Sequence, residues 1–246
     1  MTSMSSGDRS EGHTLKALDQ ALTELRLHAL NMGGLVIDQV SCAARALLKG
    51  DVELARLVVE REQQVNEFDR LVDREAFELI ALRQPVAGDL RTARAISRAI
   101  IELERVGDEA KKIARFAVRL TEGEPQGPVL AVSKYLRHMA DLSMSMLSDA
   151  VRALDEGDIE LARSVTSRDA ELDQEFASAL RQLLTLVMED QMYLKATIDT
   201  VFALKGLERI GDHAKNIGEQ VLFMMSDPQS NRDAANISPA SQSLRE

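Results

Sequence analysis

The sequence predicts an all-α protein made of two antiparallel three-helix bundles in tandem, six long helices in all. Three observations predict it. Apolar residues recur at helical spacing through six segments, each of about 30 residues or roughly 45 Å of helix. Hydrophobic residues make up 45% of the chain but aromatic ones only 3%, with no Trp and five Pro, which suits long helices better than a sandwich or barrel. An eleven-residue segment also occurs almost twice: LERVGDEAKKI at 103–113 and LERIGDHAKNI at 207–217, with eight positions identical at an offset of 104.

Residues 1–12 are polar and are expected to be flexible. Helical periodicity starts near Leu15 and runs through Leu18, Leu22, Leu25, Met32, Val36, Val40, Ala43 and Leu47. The Gly33–Gly34 pair inside this run costs about 1 kcal/mol per glycine against Ala, so it suits a kink or a close neighbouring helix. Gly50 can then end the first helix and Asp51 cap the second. The second helix is expected over 52–82, where Pro85 stops it. The third is expected over 87–120 and completes a first bundle at 13–120.

TEGEPQGP, 121–128, reads as a linker. The pattern then returns. A fourth helix is expected over 129–155. Glu156-Gly157-Asp158 echoes Lys49-Gly50-Asp51 at an offset of 107, as LAR at 161–163 echoes 54–56. The fifth helix is expected to reach about 187 and the sixth to span 191–225, closing a second bundle at 129–225. The shift from 107 to 104 implies a net loss of three residues near the second interhelical turn. The polar tail at 226–246 is expected to be disordered.

A net charge of -10 argues against direct nucleic-acid binding, which needs a basic footprint. The only cysteine, Cys42, cannot form an internal disulfide, so a reducing compartment is the simple expectation. The opening MTSMSSGDRSEG has no apolar core of the signal-peptide kind, and no stretch approaches 18 apolar residues. The expected place is the cytoplasm, with membrane contact only through partners.

Each copy of the duplicated segment sets a Glu and an Asp four residues apart: Glu104 and Asp108, then Glu208 and Asp212. On a helix both carboxylates share one face, about a turn apart. Gly107 and Gly211 let a neighbouring backbone or a ligand come close, and Arg105 and Arg209 point elsewhere and can pair with other acids. The second helix carries its own line, Glu62, Asn66, Asp69 and Asp73, beside the apolar line Val58, Val65 and Val72. Its counterpart in the second half begins Asp169 and Asp173, then turns apolar at Phe176 and Leu180.

Acids from two adjacent helices can cage a cation, because crowded carboxylates need positive charge between them or must take up protons. The competing possibility is that Glu and Arg form interhelical ion pairs that set helix register. His213, beside Asp212, is the main histidine candidate for a ligand, although such a residue is more often a surface group. There is no CxxC, HExxH or Glu-x-x-His pair, no GxSxG, no P-loop and no GxGxxG. No catalytic residue and no organic-cofactor site is expected, and the chain is not expected to be an enzyme.

The two LERxGD segments, the turn RQPVAGDLR at 83–91, and the KGD and EGD helix starts resemble the PhoU family of phosphate-specific transport system accessory proteins. The resemblance covers residues 14–225. It implies two similar three-helix bundles that bind metal clusters on their helix faces. Carried over by position, the ligands would be Glu62, Asn66, Asp69, Asp73, Glu104 and Asp108 in the first half. In the second half they would be Asp169, Asp173, Glu208 and Asp212. Iron or zinc is implied first, with magnesium or manganese open. The resemblance further implies an adaptor that restrains phosphate uptake and the starvation response. Its partners would be the ATPase subunit of the high-affinity phosphate ABC transporter and the phosphate-sensing histidine kinase, and a homodimer stays open. The alternatives are a metal-dependent phosphohydrolase-like enzyme and a metal-free helical scaffold.

Overall fold

The computed structural model describes residues 6–123 and 126–226. Among them are seven α-helices and one short 3-10 turn: α1 (Ser6–Lys49), α2 (Val52–Arg83), α3 (Ala87–Gly123), α4 (Gly127–Ala131), α5 (Ser133–Glu156), α6 (Ile159–Glu189), the turn Gln191–Tyr193, and α7 (Leu194–Met225). α1, α2 and α3 pack together as one three-helix unit, and α5, α6 and α7 as its repeat. The fold is all-α, as the periodicity predicts.

The helix junctions follow from their local chemistry. Gly50 and Gly157 both take positive φ, 65° and 66°, the left-handed conformation that costs glycine nothing. Asp51 and Asp158 then cap α2 and α6, each accepting a 3.0 Å bond from the backbone N–H three residues on. Before Pro85, Gln84 ends α2 at φ 46°, left-handed without being glycine. Such a residue stores about 1–3 kcal/mol of strain.

Several boundaries differ from expectation. α1 begins at Ser6, so helix extends into the segment expected to be flexible, because adding residues to an existing helix costs far less than nucleating one. Residues 1–5 lie outside the described residues. α3 continues to Gly123, and Gly127–Ala131 is already helical, which leaves little of the expected 121–128 linker; residues 124–125 are outside the described set. The expected fourth helix is split at Val132 into α4 and α5. The expected tail, apart from Ser226, also lies outside the described residues.

The two units join along a seam where α3 lies against α7 and α1 against α5. Both pairs run antiparallel. Along α3, Arg94 lies over the Phe223 ring at 4.6 Å, Phe116 stacks on Phe202 at 5.8 Å, and Arg119 pairs with Asp199 at 2.8 Å. Gly33 explains the close α1–α5 approach: a Cβ there would lie 2.9 Å from Val151. Gly33 therefore serves a neighbour, whereas a Cβ on Gly34 would meet nothing within 4 Å, and α1 runs unbroken through both. The core is continuous across the seam and dominated by Ala, Leu, Val and Ile. Among the described residues no helix is long and apolar enough to cross a membrane.

Candidate functional site

The duplicated segments lie in the middle of α3 and α7. In each, the Leu, the branched residue at 106 or 210, the Gly and the Ala at 110 or 214 face the core. A Cβ on Gly107 would lie 3.1 Å from Val65 of α2 and 3.5 Å from Gln39 of α1. A Cβ on Gly211 would lie 2.2 Å from Leu172 of α6 and 3.7 Å from Met146 of α5. Leu172 and Met146 are the repeat mates of Val65 and Gln39 at the offset of 107, so the packing repeats residue by residue. This close approach brings the acids of α3 beside those of α2, and the acids of α7 beside those of α6.

In the first half Glu104, Asp108, Glu62, Asn66 and Asp69 are half-buried, while Asp73 is exposed. Burial pushes the Glu104 carboxyl above its usual range, and Asp108, Asp69 and Glu62 push the same way. Asp69 is raised by burial and then by Asp73. Glu62 differs. It accepts from Lys111 Nζ at 2.7 Å and from Asn66 Nδ2 at 3.0 Å, and the lysine holds it below the usual carboxylate range. Among the described residues Glu104, Asp108 and Asp69 have no ion-pair partner.

In the second half Glu208 is only 8% exposed, Asp169 and Asp212 are half-buried, and Asp173 is exposed. Asp169 accepts from Lys215 Nζ at 2.6 Å, repeating the Glu62–Lys111 pair. Glu208 Oε1 is ion-paired with Lys205, while its Oε2 is buried without a partner. Burial raises the Glu208 carboxyl; Lys205 opposes that rise, while Asp212 and Asp173 add to it. Asp212 is raised by burial and by Asp169, with Lys205 opposing. The acids from neighbouring helices therefore face one another in both halves. Among the described residues, however, no three His, Cys, Asp or Glu side chains are gathered so as to hold a metal ion as they lie.

Asp108 and Asp212 both line a cleft of about 510 Å³ across the seam between α3 and α7. Arg105 and Arg209 do turn to other acids, Glu102 at 3.2 Å and Glu109 at 3.1 Å, the second across the seam. His213 is engaged there too: its Nδ1 lies 2.8 Å from Glu102 Oε2, which also accepts from Asn216 at 2.9 Å. Burial would raise Glu102, but the bonds from His213 and Asn216 outweigh it and hold the carboxyl low.

The lysines are what sequence reasoning missed. Lys111 and Lys215 belong to the duplicated segment and follow each Asp by three residues, on the same helix face. That signal was present in the repeat.

A family model described as the PhoU domain matches the chain twice, over residues 29–117 and 136–221. The chain belongs to the PhoU family. The two matches coincide with the two three-helix units, starting in α1 and ending in α3, then starting in α5 and ending in α7. The chain is 43% identical over 215 residues to the phosphate-specific transport system accessory protein PhoU homolog of Pseudomonas putida, covering 87% of this chain and 82% of that protein. The crystal structure of PhoU from Pseudomonas aeruginosa superposes with a TM-score of 0.78 at 42% identity, covering 84% of this chain and 97% of that one. The phosphate transport system regulatory protein PhoU from Streptococcus pneumoniae superposes at 0.77 with 28% identity, covering 84% and 96%. The double bundle is thus the PhoU architecture.

Proposed function

We propose that this chain is a non-catalytic regulator of phosphate transport that works as an adaptor. It restrains the high-affinity phosphate ABC transporter through the ATPase subunit and keeps the starvation response off through the sensor histidine kinase. The observation that carries this is the PhoU-domain match to both halves of the repeat. Relatives named as accessory and regulatory proteins of phosphate transport support it over most of the chain length. With no helix among the described residues able to span a bilayer, such an adaptor would act in the cytoplasm and reach the membrane through its partners.

The proposal extends to metal binding by the first half. Glu104, Asp108 and Asp69 offer hard oxygen donors from two helices, and the raised carboxyls of Glu104 and Asp69 reflect burial first and then the negative charge of neighbouring acids. Glu62 could join by exchanging Lys111 for the ion, with Asn66 and the exposed Asp73 at the margin. The ion would supply positive charge where the helices meet, and so a means of stiffening the α2–α3 face that a partner reads. All-oxygen ligation suits magnesium, manganese or iron better than zinc.

Deletion of the gene is expected to raise phosphate uptake and starvation-reporter expression in phosphate-replete cells. Unchanged uptake and expression would overturn the regulatory proposal. Co-purification with the transporter ATPase or the kinase tests the adaptor role directly. Elemental analysis of E104Q/D108N tests the metal: a lower metal content with unchanged helicity is expected.

A further inference from the structure

We infer that the second half is not a metal site: Lys205 stands there as a built-in cation beside Glu208. This rests on the metal proposal for the first half only as its contrast.

Apart from Glu62/Asp169 and Asn66/Asp173, which keep an oxygen donor, the two faces differ at three repeat positions. Where α3 has Ile101, α7 has Lys205; where α2 has Asp69 and Asp73, α6 has Phe176 and Leu180. The three changes act together. Lys205 Nζ is ion-paired with Glu208 and lies 5.4 Å from the centroid of the Phe176 ring. An aromatic face attracts an ammonium group, so Phe176 both removes an oxygen donor and helps seat the lysine. The other ammonium is common to both halves, Lys111 on Glu62 and Lys215 on Asp169. Lys205 is therefore the additional charge.

The balance changes accordingly. Five carboxylates face one ammonium on the first side, and four face two on the second. A divalent ion entering beside Glu208 would meet a positive charge at contact distance, in a site where Glu208 is 8% exposed and poorly screened. Its remaining ligands would be Asp212, an Asp169 already held by Lys215, and the exposed Asp173. That leaves fewer carboxylates without an ammonium partner than the first half offers.

The test uses Mn2+ added to the metal-free full chain, followed by metal counting and by paramagnetic broadening of assigned amide signals. In the wild type, broadening is expected around Glu104, Asp108 and Asp69 and not around Glu208 and Asp212. K205I, which installs the residue found at the repeat mate, and K205I/F176D are expected to bind Mn2+ on the α6–α7 face at least about tenfold more tightly than the wild type does there. Broadening of the Glu208–Asp212 face in the wild type comparable to the first half would overturn the inference. So would variants that stay helical by circular dichroism yet gain no ion. If the wild type takes up Mn2+ in neither half, the metal proposal for the first half falls. The role of Lys205 is then decided by the variants alone: a gained ion supports it and no gain overturns it.

Discussion

The α2–α3 face and the α6–α7 face hold equivalent positions in the repeat but treat the same crowding of acids differently. Both set a Glu and an Asp one turn apart against acids from a neighbouring helix, with a glycine bringing that helix close. The first half leaves Glu104, Asp108 and Asp69 crowded and unpaired among the described residues. The second half sets Lys205 beside Glu208 and fills the Asp69 position with Phe176. A duplicated fold can thus keep its packing while the chemistry on its surface diverges. Packing is constrained by every neighbour at once, whereas a half-exposed charge needs only one compensating partner.

The largest effect that would separate the halves lies at the glycines. Leu172 fills more of the space over Gly211 than Val65 does over Gly107, so an added Cβ would lie at 2.2 Å rather than 3.1 Å. Leu172 is fully buried, so its Cδ2 must shift within the packed core to admit the added Cβ of G211A. Overpacking of about 1–3 kcal/mol outweighs the roughly 1 kcal/mol of helix propensity that Ala adds. G107A needs only a small shift and is expected to be near neutral. Thermal denaturation should show a fall of several degrees for G211A alone; equal melting temperatures would mean that the two glycine contacts are energetically alike.

Where the halves are the same, their responses should match. D51A and D158A each remove one cap bond of identical length. Each is expected to cost about 1 kcal/mol, measured by chemical denaturation. A marked inequality would show that the two junctions differ in more than their caps.

The smallest effect concerns charge. Glu104 has its folded value raised, so its contribution to stability is present below its unfolded value and is lost as pH rises through the folded one. At neutral pH the metal-free chain therefore carries a cost that E104Q removes, a gain of roughly 1 kcal/mol or less for a half-exposed group. The gain should vanish as pH falls below the ordinary glutamate range. E208Q also relieves a raised carboxyl but breaks the pair with Lys205, so its gain should be smaller or reversed. Denaturation curves at pH 4 and pH 7 in chelator check both, and an equal gain in the two variants would deny Lys205 its part.

Much of this was legible in one dimension. The stripe Leu103, Ala110, Ile113, Ala117 and Leu120 is buried as helical spacing requires. Gly50–Asp51 and Gly157–Asp158 sit where a left-handed residue and a cap belong. Spacing also put the acids of each half on one face. It could not tell that α3 would run on to Gly123 or that Val132 would split the fourth helix, since helix ends depend on what packs against them. His213 stood next to an acid in sequence and was a candidate ligand for that reason, but its ring bonds Glu102 on the opposite unit.

The sequence by itself determined the periodicity, the caps and the duplication, because each is set by residues within a few turns of one another along the chain. Only the tertiary structure decided which carboxylates meet a lysine and which meet one another. An ion pair depends on the register and distance between two helices, and those follow from how α2 and α6 seat against Gly107 and Gly211.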